Sequence, residues 1–208
     1  MPSPRPVRAL ISLAALAQNA RTLSGVADAR RDAYGHGLDV CGPVLAEAGL
    51  GLWTDDARPA GPIIDPALLW GLPGSGCRPV MSLVGSVLSA KALKTGEGVS
   101  YGYTFRADRD TRVALVSGGY AQGVVREIGN RATVRVAGTD APIVGRVAMD
   151  ACVIDIGQID VGRGDDVVFF GEPAAGEPDL GVWTRATGLG AAEIVCLAGL
   201  RSAREVRA

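Results

Sequence analysis

Very few side chains in this sequence could form a covalent bond to a substrate or cofactor. Imine chemistry needs a primary amine, and Lys91 and Lys94 are the only lysines, because every other basic side chain apart from one histidine is an arginine. The four cysteines contain no C-x-x-C pair, and with a single histidine this spacing excludes a thiolate or histidine-rich zinc site. We therefore assign no metal ligand. The cysteines also lack basic neighbours in sequence, so we assign no reactivity to Cys41, Cys77, Cys152 or Cys196.

Three stretches combine tyrosine, histidine, methionine and aspartate with glycine-rich turns. The first is residues 32–37, which read D-A-Y-G-H-G. The second is residues 99–105, V-S-Y-G-Y-T-F, followed by G-G-Y-A-Q-G at residues 118–123. The third is residues 141–150, A-P-I-V-G-R-V-A-M-D. These stretches are more specific than the generic strand and turn patterns around them.

The residues in and beside these stretches also have purely structural interpretations. Tyr101 and Tyr120 could be half-buried tyrosines that pack on strands. His36 lies between glycines, where a histidine is typically hydrogen-bonded to the backbone of a turn rather than to a ligand. The adjacent Arg30 and Arg31 could be a solvated pair, or they could hold an anion. Spacing alone leaves these alternatives open.

The order and spacing of the three stretches resemble the alanine racemase family. Its members are pyridoxal-phosphate (PLP) enzymes with an N-terminal (β/α)₈ barrel and a C-terminal β domain. Residues 78–83, R-P-V-M-S-L, match the same family, as do residues 11–13 running into residues 20–23. The resemblance is most specific over residues 78–170. It implies a family reaction in which L- and D-alanine are interconverted.

The resemblance implies roles for four residues. In the family, one base is the lysine that holds PLP, and the other is a tyrosine from the partner subunit's β domain, which matches Tyr101. The tyrosine at the mouth through which substrate enters matches Tyr120, and the methionine whose backbone amide receives the substrate carboxylate matches Met149. The tyrosine that contacts the cofactor phosphate matches Tyr34. PLP is accordingly the implied cofactor, and a small amino acid, alanine, is the implied substrate.

The sequence departs from the family where the chemistry is most sensitive. The family's PLP lysine stands two residues before the aspartate of D-A-Y-G-H-G, and this position is Arg30. A guanidinium stays protonated at any accessible pH and is not a nucleophile, so Arg30 cannot form the imine. Near the carboxyl end, Ala192 replaces a second phosphate-binding tyrosine. Ala148 replaces a cysteine and Gln122 an aspartate.

The resemblance also implies that most of the barrel is missing. Residues 52–57 resemble the family's second barrel strand and the start of its helix, whereas residues 65–72 resemble the segment after its last strand. A complete barrel takes at least about 200 residues, far more than precede Arg78. We therefore expect a mixed α+β chain. A partial (β/α) barrel remnant over residues 1–76 would be followed by an alanine-racemase-like C-terminal all-β domain over residues 77–208.

The predicted elements must position these residues. Ser12 is expected to cap an amphipathic helix that follows a short strand, with Asn19 and Arg21 on its outer face. Short strands separated by turn signals predict a closed or sandwiched β domain, with residues 99–105 forming part of its strands. A final helix is expected within residues 183–197.

Composition and charge fit an ordinary globular protein, with 48% hydrophobic and 21% charged residues and a net charge of −1. The balanced charge argues against a nucleic-acid or anionic-membrane partner. No apolar run reaches the roughly 20 residues of a membrane span. Residues 5–17 could alternatively be a short signal peptide, but the strand and helix interpretation suits Asn19 and Arg21 better. We predict a cytoplasmic protein.

Three functions remain open from the sequence. The chain could be a PLP-dependent isomerase that racemises alanine and supplies D-alanine for cell walls. It could be a non-catalytic relative, a pseudoenzyme that persists as a fold remnant. It could also be an interaction protein that pairs with a full-length racemase through the shared dimer surface, or with itself as a homodimer. Because the chemistry of Arg30 favours loss of independent catalysis, whether the chain is an enzyme stays open.

Overall fold

A computed structural model describes residues 6–207 of the chain. The parts of the two predicted domains that fall on residues 1–5 and on residue 208 lie outside the described residues, as does Arg5 of the alternative signal peptide. The first half alternates short strands and helices. These are β1 (Arg8–Ser12), α1 (Leu13–Ala20), β2 (Val26–Asp28), α2 (Arg30–Tyr34), α3 (Leu38–Glu47), β3 (Gly51–Trp53) and α4 (Pro66–Trp70).

Strands dominate the remainder of the chain, and two helices precede the last of them. The strands are β4 (Met81–Leu93), β5 (Gly98–Val99), β6 (Phe105–Arg106), β7 (Thr111–Ser117), β8 (Thr133–Val136), β9 (Thr139–Val144), β10 (Ala151–Asp155), β11 (Asp166–Phe170) and β12 (Ala203–Arg207). The helices are α5 (Gly181–Thr187) and α6 (Ala191–Arg201). Short 3₁₀ turns cover Tyr101–Tyr103, Tyr120–Gln122, Arg126–Ile128 and Pro173–Ala175.

Six strands close into a barrel. The circuit β4–β7–β10–β9–β8–β11 returns to β4, and every neighbour in it is antiparallel. β4 can serve both ends of the circuit because it is 13 residues long: its first half pairs with β11 and its second half with β7. Gly85 on β4 packs directly against the end of β7, because a Cβ at this position would stand 2.2 Å from the Ser117 carbonyl oxygen. The prediction of a closed β domain is confirmed.

The strand β1 continues this sheet beyond β4. It pairs antiparallel with β4 and parallel with β12. Arg8 on β1 also forms ion pairs with Asp166 at 2.5 Å and with Glu205 at 3.5 Å. The amino-terminal strand is thus hydrogen-bonded to the β domain, and the predicted boundary between residues 76 and 77 stays a prediction.

A second, smaller sheet lies in the first half of the chain. β2 and β3 are parallel, and α3 belongs to the connection between them, as a parallel pair requires. Val26 makes a further parallel bridge to Ile63, which adds a third extended segment beside β2. This is a β/α unit. Its origin as the remnant of a larger barrel stays a prediction.

The predicted start of α1 is confirmed, but the prediction that Asn19 lies on the outer face of the helix is wrong. The Ser12 hydroxyl accepts a hydrogen bond from the Ala15 amide at 3.2 Å, so the helix has the predicted cap. Asn19, expected on the outer face, is buried. Its amide nitrogen donates to the carbonyl oxygens of Leu69 at 3.1 Å and Arg78 at 2.8 Å, and its oxygen accepts from the Arg78 amide at 3.1 Å. Asn19 therefore joins α1 to α4 and to the segment that enters the β domain.

Two other predicted elements are interrupted. Residues 99–105 do not form a continuous strand, because Ser100 and Tyr103 have positive φ angles of 63° and 46° and a 3₁₀ turn separates β5 from β6. The final helix is two helices, because α5 ends at Gly188 in a left-handed conformation before α6 begins. Among residues 6–207, no helix has the length and apolar character needed to cross a membrane.

Candidate functional site

The D-A-Y-G-H-G stretch forms a left-handed helical turn. The φ angles of Arg31, Asp32, Ala33 and Tyr34 all lie between 52° and 56°. Such a run costs L-residues roughly 1 kcal/mol or more each, so the surrounding structure must hold it in place. The Asp32 carboxylate accepts from the Leu38 amide at 2.7 Å and forms an ion pair with Arg204 of β12 at 2.5 Å. Strain of this kind is typical of a functional position.

Close contact with α6 also holds the turn in place. Gly35, which follows the turn, packs directly against the backbone of α6. A Cβ at Gly35 would stand 3.0 Å from the Cys196 carbonyl oxygen, and one at Gly199 would stand 2.2 Å from the Gly35 carbonyl oxygen. The two glycines therefore let the helix and the turn approach more closely than any side chain would permit.

Asp28, at the end of β2, organises the side chains around this turn. Its carboxylate accepts from Arg30 Nε at 2.9 Å and from Arg30 Nη2 at 2.7 Å. It also accepts from the Tyr34 hydroxyl at 3.0 Å. The face of the Arg30 guanidinium lies 3.7 Å from the ring centre of Trp53. Arg30 is thus engaged at its fork by an acid and at its face by an aromatic ring.

Ionisation in this cluster follows from these contacts. Hydrogen bonds from Arg30 lower the pKa of Asp28 below its ordinary value, so the carboxylate is charged at neutral pH. Burial and the neighbouring Asp28 carboxylate raise the pKa of Tyr34 to about 12, so its phenol keeps its proton. Tyr34 is therefore a hydrogen-bond donor here and not a base.

A cleft of about 360 Å³ opens beside this cluster. Its lining contains no lysine and consists of Asp28, Arg30, Arg31, Tyr34, Asp55, Ala192, Glu193 and Cys196. The two lysines lie elsewhere: Lys91 is exposed on β4, and Lys94 forms an ion pair with Asp110 at 2.7 Å. The donor set therefore does not fit PLP, which needs an amine for its covalent bond. Ala192 brings no hydroxyl to the cleft.

His36, in the same stretch, has a structural role. It is fully buried, its Nδ1–H donates to the Ala33 carbonyl oxygen at 2.8 Å, and its ring stacks on Trp70 with 4.4 Å between centres. Within residues 6–207 its Nε2 has no hydrogen-bond partner. Burial lowers the pKa of His36 to about 4. The prediction of a turn histidine bonded to the backbone is confirmed.

Tyr120 and Met149 lie together at a second place beside α6. The Tyr120 amide donates to the Ala148 carbonyl oxygen and the Ala121 amide to the Met149 carbonyl oxygen, both at 3.0 Å. Gln122 donates to Asp150 at 3.1 Å and also accepts from the Gly119 amide at 3.0 Å. The side chains of Tyr120 and Met149 are both exposed, and they line a cleft of about 530 Å³ with Leu197.

Tyr101 projects from the β domain at a third place. It is 74% exposed, and it has no side-chain hydrogen bond among the described residues. Two contacts with Arg146 hold the turn that carries Tyr101. The Ser100 hydroxyl donates to the Arg146 carbonyl oxygen, and Gly102 lies against the Arg146 guanidinium. We call the cleft beside Asp28 and Arg30 the Tyr34 cleft, and the cleft lined by Tyr120 and Met149 the Tyr120 cleft. Tyr101 lines neither of them. Of the four predicted site residues, the structure brings together only Tyr120 and Met149.

The sequence alone did not identify Asp28 and Trp53 as partners of Arg30. A signal was present in the spacing, because an aspartate side chain commonly accepts a hydrogen bond from the backbone two residues on, as Asp28 does from the Arg30 amide at 3.2 Å. An acid at position 28 and an arginine at position 30 therefore suggest a pair. Trp53 lies on the neighbouring strand β3, and Arg58 covers its ring as well, at 4.4 Å. This contact depends on the parallel pairing of β2 with β3.

This chain is similar to known proteins both in sequence and in fold. The family described as "Alanine racemase, C-terminal domain" matches residues 80–206. An alanine racemase from Thermobifida fusca is 43% identical over 134 residues, which are 64% of this chain and 36% of that protein. One from Mycobacterium leprae is 44% identical over 110 residues, 52% of this chain and 28% of that protein. The matched part of the chain thus spans about a third of these curated relatives.

Solved structures show the same fold. The alanine racemase of the D-cycloserine producer Streptomyces lavendulae aligns with a TM-score of 0.86 and 21% identity, covering 100% of this chain and 98% of that chain. The alanine racemase from Bartonella henselae, solved with covalently bound pyridoxal phosphate, aligns with a TM-score of 0.79 and 16% identity, covering 98% of this chain and 100% of that chain. Since the family match covers more than half of the sequence, this chain belongs to the alanine racemase family.

Proposed function

We propose that this chain is an alanine-racemase-like protein that cannot interconvert L- and D-alanine on its own. One observation carries the proposal: the Asp28 carboxylate and the Trp53 ring engage Arg30, which the resemblance matches to the family's PLP lysine. In this proposal the β/α unit in residues 1–76 is the remnant of the cofactor-binding barrel. Residues 77–208 are the retained β domain. A cytoplasmic location stays a prediction.

The chemistry of racemisation supports this proposal. The reaction removes the α-proton of an amino acid and returns a proton on the opposite face, which requires two bases on opposite sides of the α-carbon. PLP, when bound, supplies the imine that makes the α-proton acidic. This chain offers Tyr101 as one base, but Arg30 can serve neither as the second base nor as the amine. Met149 and Tyr120 keep the roles that the resemblance implies, as a carboxylate-binding amide and as a residue at the substrate mouth.

Covalent attachment of PLP tests the proposal. We expect that incubation with PLP, borohydride reduction and peptide mapping will find no lysine modified beyond the level seen in the unfolded chain. Lys91 is exposed and Lys94 is only partly shielded by Asp110, so any labelling should be slow, non-saturable and insensitive to added alanine. Rapid, stoichiometric labelling of either lysine that alanine suppresses would overturn the proposal.

A second candidate function is pairing with a full-length racemase. The exposed side chains of Tyr101, Tyr120 and Met149 favour it, because large apolar groups that remain uncovered on a monomer commonly mark an interface. By resemblance, Tyr101 would enter the partner's barrel. In such a mixed dimer only the full-length subunit holds PLP, so at most one site of each pair would be active. Self-association as a homodimer would use the same self-complementary surface.

Co-expression with an intact racemase tests the pairing. We expect the tagged chain to capture the racemase, and we expect the mixed dimer to lose activity when Tyr101 is changed to Phe in this chain. The matched control is Tyr103→Phe, because Tyr103 is exposed in the same turn but is not a predicted site residue. Failure to co-purify, with monomeric sedimentation of the chain alone, would leave the fold-remnant hypothesis.

A further inference from the structure

The Asp28 carboxylate holds Arg30 and Tyr34, two of the side-chain hydrogen-bond donors of the Tyr34 cleft. It is 5% exposed, and it accepts two hydrogen bonds from the Arg30 guanidinium and one from the Tyr34 hydroxyl. A planar guanidinium fork binds a carboxylate and a phosphate with the same two parallel N–H donors. Asp28 therefore occupies the groups that an anionic ligand in this cleft would otherwise use.

The other side chains of the cleft do not replace Arg30 and Tyr34 as donors to an anion. The Arg31 amide donates to Asp55 at 3.1 Å, and its guanidinium lies 4.0 Å from the same carboxylate. Glu193 faces the cleft as a third carboxylate, beside Asp28 and Asp55. Its side chain accepts from the Gly190 amide at 2.6 Å. An incoming anion would meet three carboxylates, the Arg30 fork that Asp28 already holds, and an exposed Arg31 that lies next to Asp55.

We propose that Asp28 determines the specificity of this cleft by holding Arg30 and Tyr34 away from ligands, so that phosphate-bearing molecules are excluded. Because the internal carboxylate is held next to the fork by the chain itself, a dissolved anion competes at a large concentration disadvantage. PLP is then excluded twice: Arg30 cannot bond to its aldehyde, and Asp28 withholds the donors that its phosphate would need. This inference does not depend on whether the chain pairs with a racemase.

The test measures binding of inorganic phosphate to the folded chain. Trp53 fluorescence is a direct reporter, since the Arg30 guanidinium stacks on its ring. We expect no saturable response in the wild-type protein up to tens of millimolar phosphate. Asp28→Ala frees a charged fork and a phenol, which should tighten phosphate binding by at least about tenfold. PLP should show the same gain, without covalent attachment.

Two further variants keep the test decisive. Asp140→Ala is the matched control, because it removes a carboxylate that pairs with an arginine, Arg135 at 2.9 Å, outside this cleft. We expect it to change phosphate affinity by less than about threefold. If Asp28→Ala does not fold, Asp28→Asn removes the charge and keeps the shape. Adding Arg30→Gln to whichever Asp28 variant folds should abolish its gain.

Two results would overturn the inference. One is saturable phosphate binding by the wild-type chain with the affinity of the Asp28 variant. The other is a folded Asp28 variant that gains no affinity over the wild type. In either case another residue, and not Asp28, would control access of anions to the cleft.

Discussion

The stability of the protein is expected to fall steeply as the pH is lowered from about 6.5 to about 4, because His36 must remain neutral in the folded state. The ordinary pKa of histidine is 6.5, and burial lowers that of His36 to about 4. Between these values the unfolded chain binds a proton that the folded chain does not, so acid favours unfolding. A shift of this size corresponds to about 3 kcal/mol of unfolding free energy.

The physical cause is the environment of the second ring nitrogen. Nδ1 donates to the Ala33 carbonyl oxygen, so a proton added to His36 goes to Nε2, which has no acceptor among residues 6–207. Arg204 adds a smaller unfavourable charge interaction. The carboxylates with lowered pKa values, Asp28, Asp110 and Glu172, act mostly below this interval, because their ordinary pKa values are 3.8 for aspartate and 4.5 for glutamate.

Urea denaturation between pH 4 and pH 8 measures this effect. His36→Phe keeps an aromatic ring against Trp70 and removes the titrating group, so its stability should change much less over the interval from pH 6.5 to pH 4. Equal slopes for the wild-type protein and the variant would show that His36 is not the group responsible.

The second large effect is expected from Gly119→Ala. The φ and ψ angles of Gly119 are −136° and −173°, an extended conformation that alanine adopts freely. A Cβ there would stand 2.2 Å from the Met149 carbonyl oxygen and 2.4 Å from that of Ala148. These backbone atoms belong to the contact that joins Tyr120 to Met149, so the substitution should cost about 3 kcal/mol and separate the two residues.

Gly42→Ala is the matched control for this substitution. Gly42 lies in α3, and a Cβ would meet only the side chains of Leu38 at 3.6 Å and Leu52 at 3.9 Å, which are ordinary contacts. We expect no loss of stability there, and a gain of up to about 1 kcal/mol from helix propensity. A Gly119→Ala protein as stable as Gly42→Ala would mean that the Tyr120 turn is not held against Met149.

The elements that follow local rules were predictable. The Ser12 cap and the strands of the barrel depend on side-chain spacing and on turn residues, which the sequence displays directly. Asn19 looked like a surface residue because its position in the helix pattern is polar. Its three hydrogen bonds go to α4 and to Arg78, about 50 or more residues away in the chain, and no local pattern reports such partners.

The left-handed turn at Tyr34 could not be predicted, for a different reason. Its residues have no intrinsic preference for positive φ, and the contacts that hold it come from β12 through Arg204 and from α6 through Gly199. The resemblance located Tyr34, Tyr101, Tyr120 and Met149 in the sequence. Their separation onto different surfaces depends on the tertiary structure, and the engagement of Arg30 by Asp28 and Trp53 depends on the pairing of β2 with β3.

Alanine racemisation by the purified chain measures most directly whether Arg30 leaves this protein without a catalytic amine. With excess PLP in deuterated water, racemisation would place deuterium on the α-carbon of alanine, which mass spectrometry detects at low turnover. We expect no exchange above that of free PLP, for the wild-type protein and for Arg30→Lys alike, because Arg30→Lys would restore an amine without the barrel units that the resemblance implies are missing. Enzyme-dependent exchange by the wild-type chain that is lost in a Lys91→Arg, Lys94→Arg double variant would contradict this conclusion.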